Sequence, residues 1–279
     1  MTPIGFHVTM RLSDDRVIAP SAAARRRIAR LVRYHGAACG LLAFRVVDSH
    51  LHVLLLCDRA AAGEFARRLA IAIQAVITPG APFEPCRCRP FTDAAHLRNA
   101  FDYVLRQNAR HGVAHDPRHD GSVLPDLLGL RIGGRDIALR VREYLPRVTR
   151  EDLLVHLGLA TLEEGVGAPG DALVEAATAA FALPDLAGSS HDVLHARAAA
   201  IAVLPDAPTT QLVEALGVSP RSIQRARLLK PPPAHVRAVR LQLSLADALD
   251  ADRAPPPAAP LRGAPARGPT GPDARHLGG

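Results

Sequence analysis

Residues 41–58, LLAFRVVDSHLHVLLLCD, decide how the chain folds. Two runs rich in leucine and β-branched residues meet at Asp48-Ser49 and read as a hairpin of two strands. His50 and His52 stand two residues apart in the second strand. The period of two sends both imidazoles to one face while Leu51 and Val53 point into a core. That is a metal-ligand spacing on a rigid element. In a chain of 279 residues with 13 histidines the same spacing also arises from two incidental strand histidines, so the pair acquires meaning only from its companions.

Outward from the hairpin, residues 4–12 (IGFHVTMRL) alternate as a strand, with His7, Thr9 and Arg11 on one face and Phe6, Val8 and Met10 on the other. Residues 21–35 read as a basic amphipathic helix ending at Gly36, and residues 60–77 as a second helix stopped by Thr78-Pro79-Gly80. Residues 83–91 supply a proline-flanked edge strand with Cys86 and Cys88 on one face. Strand, helix, two strands, helix, strand is the ferredoxin-like order, an α+β class with helices on one face of an antiparallel sheet. A further helix is expected over 93–110, capped by Thr92 and closed near Gly112.

Beyond Gly112 the chain turns loop-rich, with helical pieces at 136–145 and 150–157, a glycine-rich break, and a helical tract from about residue 171. Residues 191–203, 209–216 and 220–229, with a tight Gly217-Val218-Ser219 turn, resemble a helix-turn-helix that would turn Arg221, Gln224 and Arg225 towards a groove. The Pro-, Ala- and Gly-rich tail, 251–279, cannot bury a core and is expected to be disordered. The expected regions are 1–130, a connecting 131–189, 190–250 and the tail.

Composition narrows the function. Apolar residues make up 48% of the chain, enough for proper cores, and the formal net charge is +7. Residues 1–120 carry 17 Arg against 10 acids, and the remainder balances 17 basic against 17 acidic residues, so the excess sits in the first region and suits a polyanion. The four cysteines fit neither a disulfide framework nor a paired zinc pattern. No apolar run reaches membrane-spanning length and no signal segment opens the chain, so a cytoplasmic protein is expected.

The expected helix at 93–110 contains FDYVLRQNARHG, in which Tyr103 and Gln107 lie four residues apart, on one face. A tyrosine nucleophile and an amide oxygen ligand can thus address one site. With the Ser-His-Leu-His strand at 49–52, its aliphatic continuation Val53-Leu54-Leu55-Leu56, and Gly112-Val113 after the tyrosine helix, the chain resembles the HUH-type transposases of the insertion-sequence and REP-associated tyrosine class. The resemblance covers about residues 4–130 and includes the HVTMR of the first strand. It departs from the family at Asp48, usually proline, at Ser49, usually asparagine, and at Gln107-Asn108, where Asn-Pro is common.

The resemblance implies a single-strand DNA transposase or endonuclease. His50, His52 and Gln107 would hold Mg²⁺ or Mn²⁺, and Tyr103 would attack DNA to give a 5′-phosphotyrosine. Arg11, Arg221, Gln224 and Arg225 are the candidates for DNA contact. The implied partner is single-stranded DNA, hairpin-forming ends included; monomer and homodimer both stay open. A domesticated, catalytically silent DNA-binding regulator would keep the basic region and the helix-turn-helix but lose metal dependence. A metal-dependent small-molecule hydrolase ranks last, because only Val53-Leu54-Leu55 follows His52 where further ligands would be needed.

Overall fold

Alternating strands and capped amphipathic helices account for most of the architecture. The structure, a computed structural model, describes residues 2–14, 16–77, 79–80, 82–107, 116, 118–164 and 170–250. Strands β1 (Gly5–Arg11), β2 (Leu41–Val46), β3 (His50–Leu55) and β4 (Arg87–Phe91) form one antiparallel sheet in the order β2-β3-β1-β4. The hairpin turn is closed by the Val47 amide donating to the His50 carbonyl at 2.8 Å. One sheet face buries Phe6, Val8, Met10, Phe44 and Val53. The register sets Thr9 opposite His52 and Arg11 opposite His50, Arg45 opposite His52, and Arg87 and Arg89 opposite Thr9 and His7. Directly paired residues share a face, so these polar side chains gather on the other side of the sheet.

Helix α1 (Ala22–Gly36) starts at Ser21, whose hydroxyl accepts from the Ala24 amide at 3.2 Å, and buries Ile28, Ala29 and Val32. Helix α2 (Arg59–Val76) is capped by Asp58 and buries Phe65, Leu69 and Ile73. The two touch each other, α1 resting on β2 and α2 on β1 and β4. Helix α3 (Ala94–Leu105) packs against β2 and β3 through Leu97, Phe101, Val104 and Leu105. Its cap is Asp93, not the expected Thr92. Asp93 has the extended backbone a cap requires, and its carboxylate accepts from the His96 amide at 2.8 Å, beside the positive end of the helix. The edge strand is also shorter than the expected 83–91, since Pro82 and Pro85 reduce the Phe83 region to a single bridge with Leu12.

Helices α4 (Leu124–Leu127), α5 (Arg135–Tyr144) and α6 (Arg150–Val155) follow. The one-turn α4 occupies a stretch expected to be loop; four residues are too few to show a helical period. The sheet's hydrophobic core continues through these helices to Leu162 and takes in Leu241 and Leu245 from the far end of the chain, so residue 130, the expected end of the first region, lies inside it. Helices α7 (Gly170–Phe181), α8 (His191–Val203), α9 (Thr209–Leu216), α10 (Pro220–Leu228) and α11 (Pro233–Asp250) enclose a second core around Leu173, Ala177, Ala199, Leu212, Ile223 and Val239. Gly217, at φ 61, ends α9 in the left-handed region that glycine adopts without steric cost, and Ser219 caps α10. Helix α11, absent from the sequence reading, serves both cores. The expected helix end near Gly112 and Val113, most of the glycine-rich break and the 251–279 tail lie outside the described residues. Among the described residues no helix is long and apolar enough to cross a membrane.

Charged side chains bind the two halves together. Arg26, only 2% exposed, donates from Nε to Asp120 at 3.1 Å and from Nη1 to the Thr178 hydroxyl at 2.7 Å, and pairs with Glu175. Arg131, also buried, donates to Asp126 at 2.7 Å and to the carbonyls of Ser122 and Asp120 at 2.9 and 2.8 Å. Burial drives the Asp120 carboxyl above the ordinary carboxylate range against the pull of Arg26.

Arg26→Met should therefore cost about 3 to 5 kcal/mol in urea unfolding, because it strands Asp120 without its guanidinium, whereas Arg26→Met/Asp120→Leu should recover most of that loss. A single variant as stable as the parent would show that the pair holds nothing together. A second expectation concerns His156, which burial holds down to about 4 from 6.5, Arg106 and Arg45 adding to the effect and Asp102 opposing it. The unfolded chain takes this proton near 6.5 and the folded chain only near 4, so the stability involved is complete above 6.5 and lost as pH falls towards 4. His156→Gln should unfold with a pH dependence shallower by on the order of 3 kcal/mol across that window.

Candidate active site

The strand that opens the sequence argument delivers its two histidines to one place. His50 and His52 alternate with the buried Leu51 and Val53, and their rings lie 4.8 Å apart, nearly perpendicular. His52 is buried, while His50, near the start of β3, is partly exposed.

Tyr103 reaches the same spot from the helix across this face. Phe101, Val104 and Leu105 lock α3 onto the sheet, which leaves Tyr103 half-buried with its ring 5.5 Å from that of His52, edge to face. Fifty residues of chain separate the two, and only the packing of α3 on β2 and β3 brings them together. Gln107 lies just past the α3 C-cap Arg106, fully buried, with its amide nitrogen donating to the Tyr103 carbonyl at 3.0 Å. That bond orients the amide and identifies its nitrogen, so the other terminal atom is the carbonyl-type oxygen Oε1.

His7 is a member of the cluster to which the sequence assigned no role. Its Nε2 lies 2.9 Å from His52 Nδ1, and its ring is 5.8 Å from that of Tyr103. Burial, with help from Arg89 and His96, holds its pKa down to about 4, so it is neutral at pH 7 and can either donate to or accept from His52. The Thr9 hydroxyl stands 3.3 Å from the same His52 nitrogen. A ligating histidine is commonly oriented through its second ring nitrogen, and His7 and Thr9 occupy that position for His52.

The surrounding face is basic. Arg11 is exposed, opposite His50, and stands 4.0 Å from Glu84. Arg87 and Arg89 project from β4 beside Thr9 and His7, both exposed. Neither was singled out from the sequence, although alternation against Cys86 and Cys88 already put them on this face. Arg45 completes it as a buried guanidinium against His119, its pKa reduced to about 10 by burial.

Arg221, Gln224 and Arg225 are exposed on α10, which packs on α8 and α9 in the second core. The described contacts do not join them to the histidine and tyrosine cluster. Spacings of three and four put them on one helix stripe with Leu228, which is 83% exposed. Among the described residues no three His, Cys, Asp or Glu side chains form a set that could hold a metal ion.

In chemical terms the site joins a phenol, three imidazoles and a guanidinium-rich rim, a combination suited to nucleophilic attack on a polyanion. Compared with protein-family models, with curated proteins and with solved structures, this chain matches none.

Proposed function

We propose that this chain is a tyrosine transposase or nuclease that cuts and rejoins single-stranded DNA, built on a ferredoxin-like sheet and carrying a helix-turn-helix. The observation that carries the reading is the approach of Tyr103 to His52, 5.5 Å between rings, from a helix and a strand that the sequence paired only through their motifs. The β2-β3-β1-β4 order supports the ferredoxin-like part. For the helix-turn-helix, support comes from the α9-Gly217-α10 turn and the exposed Arg221, Gln224 and Arg225 stripe, where Leu228 adds an apolar group of the kind that meets a thymine methyl.

The Tyr103 oxygen attacks the phosphorus of a scissile phosphodiester in line. Its phenolic proton passes to a neutral imidazole, in this reading that of His7, whose ring lies 5.8 Å from that of Tyr103, and the bond to the 3′-oxygen breaks. The 3′-oxygen leaves as a hydroxyl once protonated, and the DNA 5′-phosphate stays esterified to the tyrosine. Reversal with another 3′-hydroxyl rejoins the strand with no external energy source. Arg11, Arg87 and Arg89 hold the incoming backbone by charge.

Two imidazoles with rings 4.8 Å apart supply nitrogen donors for one divalent cation, and in this reading Gln107 would add an amide oxygen, three donors that would leave room for phosphate. Mg²⁺ or Mn²⁺ bound there would neutralise charge developing on the phosphate oxygens. Set against this, a purely DNA-binding regulator would need only the basic face and the helix-turn-helix and would give no reason for Tyr103 to meet the histidines.

Incubated with labelled single-stranded DNA and Mn²⁺, the protein should form an adduct that survives denaturing electrophoresis. Tyr103→Phe should abolish the adduct while DNA affinity changes little; an adduct persisting in that variant removes Tyr103 as nucleophile. Mn²⁺ should raise the melting temperature of the parent and leave His50→Ala and His52→Ala unmoved, with Gln107→Ala intermediate, since a ligand bound only by the native state stabilises it. Equal shifts in parent and His52→Ala would mean that these histidines hold no metal.

A further inference from the structure

A cavity of about 340 Å³ lies between the start of α3 and the segment that follows α5, and it shares no lining residue with the histidine cluster. Ala94, Leu145, Pro146 and Val148 form apolar walls, and Arg98, Arg147 and Tyr144 supply the polar and aromatic groups. Among the described residues two guanidinium groups line it and no carboxylate does. Arg98 is the informative member: it is partly buried, and its Nε and Nη2 are shielded from solvent with no hydrogen-bond partner among the described residues. Asp102, one turn further along α3, is engaged by Arg106 at 2.8 Å. An arginine that lines a cavity and forms no ion pair with a carboxylate among the described residues gains when an anion enters beside it.

The shape of the cavity limits which anion. Its volume falls at the lower end of small-ligand pockets, larger than a bare phosphate needs. Tyr144, at the end of α5 and 39% exposed, offers a ring on which a flat base can stack. The two arginines present planar forks matched to phosphate oxygens. We infer that this cavity is a nucleotide site, in which Arg98 and Arg147 take the phosphate and Tyr144 takes the base. It requires neither a metal ion nor a reactive Tyr103, so it stands apart from the cleavage chemistry. The same chemistry is offered by a free mononucleotide and by one unit of a DNA strand.

Calorimetric titration of the full-length protein without divalent metal separates the cases, using dAMP, inorganic phosphate, deoxyadenosine and an eight-residue deoxyadenosine oligonucleotide as probes. dAMP should bind more tightly than phosphate, and phosphate more tightly than deoxyadenosine. Arg98→Met, which keeps the aliphatic stem, should weaken dAMP by at least about tenfold while melting at or above the parent temperature, because it removes a charge that has no ion-pair partner among the described residues. Tyr144→Ala should weaken dAMP and leave phosphate unchanged. Loss of octamer affinity in Arg98→Met assigns the site to a strand, and unchanged octamer affinity beside weakened dAMP assigns it to a free nucleotide. No measurable dAMP binding by the parent, dAMP bound equally by parent and Arg98→Met, or phosphate bound as tightly as dAMP would each overturn the inference.

Discussion

A buried guanidinium cannot be left alone, and the placement of Arg26 follows from that constraint. Helix α1 lies against the sheet, and its amphipathic pattern buries Ile28 and Val32 with Arg26 on a neighbouring stripe. Two carboxylates and a hydroxyl, from the loop at Asp120 and from α7 at Glu175 and Thr178, must come to it. Arg131 ties that loop in turn to Asp126, and Arg33 meets the same carboxylate at 3.3 Å. Each charge is tolerable only because the others are in place, so helices far along the chain are positioned against the first one.

The candidate site depends on this arrangement at one remove. The segment 118–122 that feeds Asp120 to Arg26 also presents His119 to Arg45, and Arg45 sits directly across the sheet from His52. Meanwhile α3, which carries Tyr103, is held to the sheet by apolar contacts. One side of the histidine and tyrosine cluster is fixed by ionic geometry and the other by close packing, so neither wall can shift without breaking contacts elsewhere.

How much of this the sequence disclosed follows from the range of each interaction. The face shared by His50 and His52, the polar set of β1, and the ends of α8 and α9 are properties of local periods, and all were readable. The cap of α3 was misplaced by one residue because Thr92 and Asp93 are both good acceptors and only backbone geometry separates them. Helix α11 begins at Pro233 after Pro231 and Pro232 and is apolar on more than one side, since it faces two cores, so it lacks the single stripe that marks a surface helix. The pairing of Arg26 with Glu175 and the solitary Arg98 are invisible in a linear chain, because an arginine's partner, or its absence, is a fact of tertiary structure. His7 and Tyr103 meet for the same reason: nothing local sets the distance between strand and helix.

The closing of the sheet's core by Leu241 and Leu245 bears on how the protein is made. Strand β4 ends at residue 91, yet the core that begins at the sheet is not complete until α11 has left the ribosome, some 150 residues later. At about 5 to 20 residues per second that is an interval of roughly 8 to 30 s, during which a nascent sheet with two open edges has part of its core exposed. The early chain is thus at its most vulnerable to strand-edge association during synthesis, and holdase chaperones should engage it before α11 is complete and release it afterwards.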